Sequence, residues 1–371
     1  MGPSKVYFTS MHTHLNEGLP AKLQRLIKTA GIGNINFKDQ YAAIKLHFGE
    51  PGNFAFLRPN YAAAVADVVR ELGGKPFLTD CNTLYVGGRK NALDHIESAY
   101  KNGFTPYTTG CHVIIADGLK GTDETLIPVE GGEYVKEAKI GHAIADADII
   151  ISLNHFKGHE NAGMGGALKN LGMGCGSRAG KMEMHSAGTP VVDQSLCIGC
   201  GRCHNICAHD AATLTNRKAS IDPVKCVGCG RCIGVCPVDA VQPQFDEAFD
   251  VMNKKIAEYT KAVLAGKPHF HISLVIDVSP YCDCHAENDI PLVPDVGMFA
   301  SFDPVALDLA CADAVNRQPV MRGSMLDHGE HSDSHDDHFT AAFPDTNWRV
   351  CTQHAAKIGI GSLEYELIEV K

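Results

Sequence analysis

A buried β-strand is predicted at Asp148–Leu153, where the chain reads Asp-Ile-Ile-Ile-Ser-Leu. Short runs rich in Ile are typical of strands that are covered on both faces of a parallel sheet. The chain continues into Asn154–Glu160, which places two histidines, a lysine and a glutamate directly after the strand. Ligands of open parallel sheets bind outside the carboxyl ends of the strands. This stretch therefore predicts an α/β fold with a polar site at one edge of its sheet.

Strand and helix candidates alternate on both sides of this strand. The other strand candidates are short and apolar: Tyr41–Phe48, Lys75–Asp80, His112–Ala116, Ile272–Val278 and Glu364–Val370. The helix candidates are Ala21–Ala30, Asn60–Leu72, Ala92–Lys101, Tyr134–Ala145, Phe245–Leu264 and Val305–Val315. Such alternation is typical of βαβ units, so we predict a mostly parallel sheet flanked by helices.

A cysteine-rich segment interrupts this pattern. The chain has 371 residues and 15 cysteines, and eight of the cysteines lie between Cys197 and Cys236. We therefore predict an α/β domain in two parts, residues 1–190 and 244–371. A small α+β ferredoxin-like domain is inserted between them at residues 191–243.

The eight clustered cysteines form two runs with the same spacing. The runs consist of Cys197, Cys200, Cys203 and Cys207, then Cys226, Cys229, Cys232 and Cys236. Both follow C-x₂-C-x₂-C-x₃-C, in which the fourth cysteine of each run binds the other cluster. The predicted cofactors are thus two [4Fe–4S] clusters with crossed ligands: Cys197, Cys200, Cys203 and Cys236 for the first, and Cys226, Cys229, Cys232 and Cys207 for the second.

Two other cofactors fit parts of this segment. Paired Cys-x₂-Cys motifs also bind zinc. Cys200–His204 matches the haem-attachment pattern C-x₂-C-H, although that match lies inside the first run. The first run also departs from the usual pattern, because Ala208 stands where proline would follow the fourth cysteine.

Charged side chains after the strands predict a substrate site. We expect Lys157 and Lys169 to hold an anionic group, while His155, His159 or Glu160 moves protons, since histidine titrates near neutral pH. Glycines ahead of Lys169 could also offer backbone N–H groups to an anion at a helix start. The alternative is a polar loop whose histidines satisfy backbone groups.

Two further groups belong to the same expected edge of the sheet. Lys45 and His47 come near the end of a strand candidate, and their side chains point to one face because strand side chains alternate. Cys282, Cys284 and His285 follow another strand candidate and could bind zinc or iron. The cysteines could instead form a redox pair or be inert thiols. We predict that Lys45, Lys157 and Cys282 surround one pocket, which one cluster also faces.

A histidine-rich segment at residues 328–338 is a separate candidate. Its four histidines have spacings of three, four and three residues: His328, His331, His335 and His338. On a helix they would share one face and could bind zinc or nickel. The acidic residues among them favour a solvated loop.

The sequence resembles two known families. Four segments carry a resemblance to the domain of unknown function numbered 362: Asn154–His159, Gly165–Asn170, Cys282–His285 and Phe302–Asp308. The cysteine-rich segment resembles a bacterial-type two-cluster ferredoxin, which members of that family often carry as an insert. The resemblance implies an α/β fold with iron–sulfur clusters and leaves the reaction open.

Composition excludes several classes of partner. There are 33 Lys and Arg against 43 Asp and Glu, a formal net charge of −10, which argues against nucleic acid and anionic membranes. Nothing approaches the ~20 apolar residues of a membrane helix, and the N-terminus lacks a secretory signal, so we expect a cytoplasmic protein without membrane insertion. The oligomeric state is not predicted.

Together these features predict an iron–sulfur oxidoreductase suited to anaerobic conditions. Electrons from a redox partner protein would pass through both clusters to a small anionic substrate or a metal in the α/β domain. One alternative is a dedicated electron carrier whose large domain recognises partners. Another is a metal-handling or maturation protein that holds a metal with Cys282, Cys284 and the histidine-rich segment.

Overall fold

The computed structural model describes residues 2–84, 87–186, 189–245, 247–328 and 336–371. The strands in these ranges are β1 (Ser4–Ser10), β2 (Tyr41–Lys45), β3 (Lys75–Asp80), β4 (Val113–Ile115), β5 (Glu124–Pro128), β6 (Glu137–Gly141), β7 (Ile149–His155), β8 (Lys157–His159), β9 (Gly163–Gly165), β10 (Val191–Val192), β11 (Ala212–Thr215), β12 (Lys218–Ile221), β13 (Val241–Gln242), β14 (His269–Val275), β15 (Gly297–Ser301) and β16 (Tyr365–Glu369).

Thirteen α-helices are described in the same ranges, together with one 3₁₀ turn at Ile32–Asn34. The helices are α1 (Leu19–Thr29), α2 (Pro59–Glu71), α3 (Ala92–Lys101), α4 (Pro106–Thr109), α5 (His142–Asp146), α6 (Ala167–Cys175), α7 (Arg178–His185), α8 (Arg202–Ile206), α9 (Arg231–Val235), α10 (Phe249–Leu264), α11 (Pro304–Asn316), α12 (His338–Ala342) and α13 (Arg349–Lys357).

An eight-stranded sheet forms the centre of the molecule, in the order β16-β1-β15-β14-β7-β2-β3-β4. All neighbours pair in parallel except the two pairs that contain β15. The sheet is therefore mainly parallel, as the alternation of strands and helices predicted. The parallel run β14-β7-β2-β3 brings four carboxyl strand ends side by side.

Helices cover both faces of this sheet. Ile149 and Ile151 of β7 pack into one apolar cluster with residues of α1 and α2. Ile150, between them, packs into a second cluster with residues of α10. Because successive strand residues point to opposite faces, a continuous apolar run is what a strand covered on both sides requires.

The predicted helix Tyr134–Ala145 is wrong. The structure has strand β6 there, followed by the short helix α5. β6 pairs antiparallel with β5, and Ala138 and Ile140 are both buried. Pairing with a strand outside the segment thus overrides the helix preference of its Glu, Ala and Lys residues. The sequence analysis also missed β1 and β15.

The cysteine-rich segment folds into two short helices and two small sheets. β10 pairs with β13, and β11 pairs with β12. The first pairing joins Val192 to Val241, so the two ends of the segment lie side by side where it leaves the α/β fold. The division into domains and the ferredoxin-like identity of the segment remain predictions.

Candidate functional site

One cavity lies at the carboxyl ends of the parallel strands. Its lining includes Lys45, Asp80 and His155, which are the last residues of β2, β3 and β7. Lys157 and Cys282 line the same cavity. The empty space, including its opening to solvent, is about 660 Å³. The structure thus brings Lys45, Lys157 and Cys282 together, as the strand ends predicted.

The cavity is lined by more cations than carboxylates. The cationic side chains are Lys45, Arg89, Lys157, Lys169 and Lys181, whereas Asp80 is the carboxylate in the lining. All of these except Lys169 are buried. A cleft lined mainly by one sign of charge attracts ligands of the opposite sign. This lining suits a small anion.

Three of the five cations are paired with acids. Lys45 lies 3.1 Å from Asp80 and donates a 2.6 Å hydrogen bond to Asn170. Arg89 pairs with Glu50 at 2.8 Å. These contacts fix the positions of the buried charges and reduce the energetic cost of burying them.

Asp283 pairs with the third cation and with a histidine. Its carboxylate lies 2.8 Å from Nδ1 of His155 and 2.9 Å from Nζ of Lys157. Nε2 of His155 faces the carbonyl oxygen of Ile276 at 2.8 Å. Both ring nitrogens of His155 therefore face acceptors, and this histidine is held firmly in the wall of the cavity.

Lys169 and Lys181 differ from the other three cations. Nζ of Lys169 lies 3.5 Å from Sγ of Cys282. Lys181 donates to backbone carbonyl oxygens, including that of Gly176 at 2.6 Å. Within the described ranges, neither lysine forms an ion pair with a carboxylate. They are the cations best able to bind an incoming anion.

Cys282 and Cys284 are tightly coupled thiols. The Cys284 side chain donates to Cys282 and lowers the pKa of Cys282 well below its usual value, and Lys169 and His159 act in the same direction. The same hydrogen bond, together with burial, raises the pKa of Cys284 well above its usual value. Cys282 is therefore the more acidic thiol of the pair.

The expected metal ligands are grouped differently from the prediction. Donor atoms of His159, Cys282 and Cys284 lie within 4.8 Å of one another. Glu160, Cys284 and His285 form a second such group. His285 thus joins Glu160, while His159 takes the place beside both cysteines. Thiolate and imidazole donors together suit zinc or iron.

Glu160 links two histidines beside the cavity. Its carboxylate lies 2.9 Å from Nε2 of His285 and 3.7 Å from Nε2 of His159. Burial opposes ionisation of Glu160, but both histidines outweigh it and lower its pKa to about 2. The hydrogen bond to Glu160 raises the pKa of His285. By contrast, burial holds the pKa of His47 well below its usual value, and Arg89 adds to this effect.

Two backbone N–H groups at the start of α6 are occupied by a side chain of the protein. The backbone N–H groups of Ala167 and Leu168 donate to the carboxylate of Asp308, at 2.6 and 3.0 Å. A carboxylate at a helix start is favoured by the helix dipole. The carboxyl group of Asp308, whose pKa burial raises to about 7, therefore occupies these two N–H groups, where the sequence analysis expected a bound anion.

A second cavity adjoins the first and is lined by residues of both the α/β fold and the cysteine-rich segment. It is lined on one side by His159, Glu160 and His285, and on the other by Ile233 and Val241. His185 lines both cavities. Including its opening to solvent, the second cavity contains about 1050 Å³ of empty space. The cysteine-rich segment therefore borders the space that adjoins the candidate site.

The cysteines themselves come together in a crossed arrangement. Cys197, Cys200, Cys203 and Cys236 line a cavity with about 310 Å³ of empty space. Burial raises the pKa of Cys203, and the neighbouring thiols of Cys200 and Cys236 act in the same direction. Burial also raises the pKa of Cys226, with contributions from Cys229 and Cys207. The fourth cysteine of each run thus lies near the other run.

The histidine-rich segment is only partly described. His331 and His335 lie outside the described residues. His338 is buried at the start of α12, and its Nε2 lies 2.9 Å from the carbonyl oxygen of Gln318. His338 therefore packs into the fold rather than standing in solvent.

Several residues of the site were missed by the sequence analysis. Asp283 was overlooked although it lies between the two cysteines, and a carboxylate beside two candidate ligands could have drawn attention to it. Arg89 and Lys181 follow no strand in the sequence and reach the cavity from a loop and from α7. No local pattern marks these two.

Comparison with known proteins identifies the family. The sequence model described as "Domain of unknown function (DUF362)" matches residues 42–313. The chain belongs to this family. None of the helices in the described ranges combines the length and apolar character of a membrane span.

One curated relative and two solved structures are similar in part. A thylakoid-associated protein from Synechocystis sp. is 28% identical in an alignment of 167 positions that covers 42% of this chain and 46% of the relative. The aligned region therefore spans less than half of that relative. A Thermotoga maritima protein is 12% identical with a TM-score of 0.36, over 69% of this chain and 49% of its own. The lactate racemase apoprotein from Thermoanaerobacterium thermosaccharolyticum is 10% identical with a TM-score of 0.34, over 74% and 51%.

Proposed function

We propose that this chain is an iron–sulfur oxidoreductase that delivers electrons to a small anion bound at the strand ends. The insert would hold two [4Fe–4S] clusters, each of which carries one electron at a time. A redox partner protein would supply the electrons. Because free thiolates and clusters persist in reducing surroundings, we expect the protein to work in the cytoplasm.

The crossed cysteines support the proposed clusters. Cys197, Cys200, Cys203 and Cys236 line one small cavity, which places four thiol sulfurs around a common space. Such a set suits a four-iron cluster, which is held by four thiolates. Cys226, Cys229, Cys232 and Cys207 would hold the second cluster.

The cation-lined cavity beside the insert is the observation that carries the proposal. A dedicated electron carrier exchanges electrons with its partners across a protein surface. That function does not require a cavity lined by five cationic side chains. In this chain the cavity opens at the carboxyl strand ends, where ligands of parallel sheets bind. Its position next to the insert would let a bound anion accept electrons.

The side chains of the site would divide the work. Lys169 and Lys181 would bind the anion, since neither is paired with a carboxylate in the described ranges. Lys45 and Lys157 would keep the cavity positive, while His47 and His155 would form part of its wall. His159, Glu160 and His285 form a chain of titratable groups between the two cavities and would move the proton that accompanies reduction.

Binding of a metal at Cys282 and Cys284 is the second candidate. The two metal-ligand groups around Cys284 favour it. One observation opposes His159 as a ligand: its Nδ1 accepts hydrogen bonds from the N–H groups of Asn161 and Ala162, both at 3.1 Å. In the neutral ring Nε2 then carries the proton, and Nε2 would be a donor to the Cys282 thiolate.

Anion binding distinguishes these functions. Phosphate, acetate and sulfite would be titrated anaerobically into the intact protein by calorimetry. We expect one site for at least one of these anions, and at least tenfold weaker binding after Lys169→Gln, since a hydrogen bond to a charged group contributes about 1.5–3 kcal/mol. Lys101→Gln is the control, because Lys101 is exposed on α3 and pairs with Glu97.

The cluster absorption of the Lys169→Gln protein should match that of the wild type. If the wild type binds none of the three anions, the dedicated electron carrier becomes the better account. A stoichiometric, reversible metal that depends on Cys282 and Cys284, without anion binding, would favour the metal-handling role instead.

A further inference from the structure

Arg178 is a buried cation with unused hydrogen-bond donors. It begins α7 and is fully buried. Nη2 donates to the carbonyl oxygen of Lys90, whereas Nε and Nη1 have no hydrogen-bond partner in the described ranges. Burial lowers the pKa of the guanidinium, which reflects the cost of holding its charge away from water. A buried charge is tolerated when a nearby opposite charge compensates it.

The nearby carboxylate compensates this charge only in part. Asp117 attracts the guanidinium of Arg178, yet the two form no ion pair within 4.0 Å in the described part of the chain. Oδ1 of Asp117 accepts hydrogen bonds from Asn82 instead, at 2.8 and 2.9 Å. Burial also raises the pKa of Asp117 to about 6. The charge of Arg178 can therefore be compensated further by another anionic group.

The unpaired side of Arg178 faces the second cysteine run. Any side chain at Gly234 would overlap with Nη1, and one at Gly230 would lie 3.1 Å from Cγ of Arg178. Both glycines belong to α9 or its N-cap, which also carries Cys232. The thiol of Cys232 is close enough to act on the guanidinium electrostatically.

The cations beside the ligands of the first cluster are exposed or already paired. Lys218 is exposed and donates to the carbonyl oxygen of Cys197. Lys90 contacts the carbonyl oxygen of Cys236 but forms an ion pair with Asp239. Gly201 occupies the position equivalent to Gly230, and a side chain there would meet nothing within 4 Å. Asn205 occupies the position equivalent to Gly234 and is exposed. The two runs therefore offer their clusters different electrostatic surroundings.

We propose that Arg178 raises the reduction potential of the second cluster above that of the first. This rests on the proposed iron–sulfur function. A four-iron cluster with its four thiolates is anionic, and reduction adds one more negative charge, which a buried guanidinium stabilises. Net charge and solvent exposure are known to set cluster potentials.

The difference would give electron transfer a direction. One electron leaves the first cluster, which is oxidised, and enters the second cluster, which is reduced. Ile233, next to Cys232, lines the cavity that also contains His159 and Glu160. Val241 lines both this cavity and the one between the first-run cysteines, so the direction would be set by the two potentials rather than by which cluster borders the site.

An anaerobic redox titration of the intact holoprotein, followed by EPR at pH 8, tests the proposal. In Arg178→Gln, we expect one of the two midpoint potentials to fall. The equilibrium constant for that one-electron reduction should drop at least tenfold, which corresponds to about 59 mV. Arg178→Lys, which keeps the charge, should retain most of the wild-type value.

Two further variants complete the test. Arg231→Gln removes an exposed arginine next to Cys232 and should leave both potentials unchanged, since solvent screens it. Asp117→Asn removes the negative charge that opposes Arg178 and should raise the same midpoint potential. The Cys226→Ser variant, which lacks a second-run ligand, identifies which midpoint belongs to the second cluster.

The results of these variants distinguish the role of Arg178 from the proposed iron–sulfur function. Unchanged potentials in Arg178→Gln, at full iron content, would overturn the role of Arg178 and leave the proposed function intact. If Arg178→Gln fails to hold iron, an unchanged potential in Asp117→Asn would overturn the role instead. A wild-type protein without iron would refute the proposed function itself.

Discussion

The two cysteine runs are close copies in sequence but differ in what surrounds them. Each places a short helix, α8 or α9, after a glycine in the left-handed region, Gly201 at φ 75° and Gly230 at φ 65°. The residue after the third cysteine differs between the runs in its burial: His204 is exposed, whereas Ile233 is buried. Repeated spacing therefore gives the same local backbone. Docking of α9 on the α/β domain makes the two runs different.

The largest expected effect is the loss of one whole cluster when the fourth cysteine of one run is replaced. Cys236→Ser should remove about four of eight irons, since a four-iron cluster needs its full set of thiolates. The cluster lost should be the one that Cys197, Cys200 and Cys203 hold, because Cys236 lines their cavity. Iron analysis and EPR of the anaerobic protein measure this.

Cys207→Ser is the reciprocal variant and should remove the other cluster. Cys111→Ser serves as the control, since Cys111 is buried outside the insert; it should keep all the iron. If Cys236→Ser destroys the second-run cluster instead, the ligands are not crossed.

Exchanging the residues at equivalent positions of α8 and α9, Asn205 and Gly234, should have a smaller effect, which is on the free energy of unfolding. Gly234→Asn places a side chain where the guanidinium of Arg178 lies, so either this side chain or α9 must shift. Overpacking of this kind costs about 1–3 kcal/mol. Asn205→Gly removes an exposed side chain and should cost at most about 1 kcal/mol, the helix penalty of glycine. Urea unfolding under anaerobic conditions compares the two.

If both substitutions destabilise the protein equally, α8 and α9 have equivalent surroundings, and the comparison fails. The second-cluster potential should also change in Gly234→Asn and stay constant in Asn205→Gly.

The smallest expected effect is a pH dependence beside the second run. Because burial raises the pKa of Asp117 to about 6, the folded state holds this proton more tightly than the unfolded state. The contribution of Asp117 to the free energy of unfolding is therefore largest below about pH 4, where the carboxyl is protonated in both the folded and the unfolded state. It is lost at about 1.4 kcal/mol per pH unit as the pH rises toward 6.

Asp117→Asn removes this dependence. The free energy of unfolding of the wild type minus that of the variant should decrease as the pH rises from 4.5 to 6. The difference should be constant above pH 7. Urea unfolding at several pH values measures the difference. A difference that is flat from pH 4.5 to 6 would show that Asp117 does not take up a proton in this range.

The sequence predicted those parts of the fold and site that follow from local patterns. Apolar runs such as Asp148–Leu153 marked the strands, and parallel pairing then brought Lys45, Lys157 and Cys282 to one cavity. Cysteine spacing in the same way predicted the pairing of Cys236 with the first run. In each case neighbouring residues carried the signal.

Other parts depend on contacts between distant segments. β15 lies antiparallel within an otherwise parallel sheet, which nothing in Gly297–Ser301 signals by itself. Asp308 reaches the start of α6 from α11, 140 residues away, and takes the place expected for a ligand. Arg178 likewise becomes a neighbour of Cys232 only when α7 and α9 pack together. Such contacts are determined by tertiary packing, not by spacing.

Iron, acid-labile sulfide and zinc in the anaerobically purified, intact protein test the central claim most directly. Two four-iron clusters require about eight irons and eight sulfides per chain, and we expect these values with little zinc. About two zinc ions per chain without sulfide would contradict the account. The insert would then be a structural zinc module, and its position beside the cation-lined cavity would have no role in electron transfer.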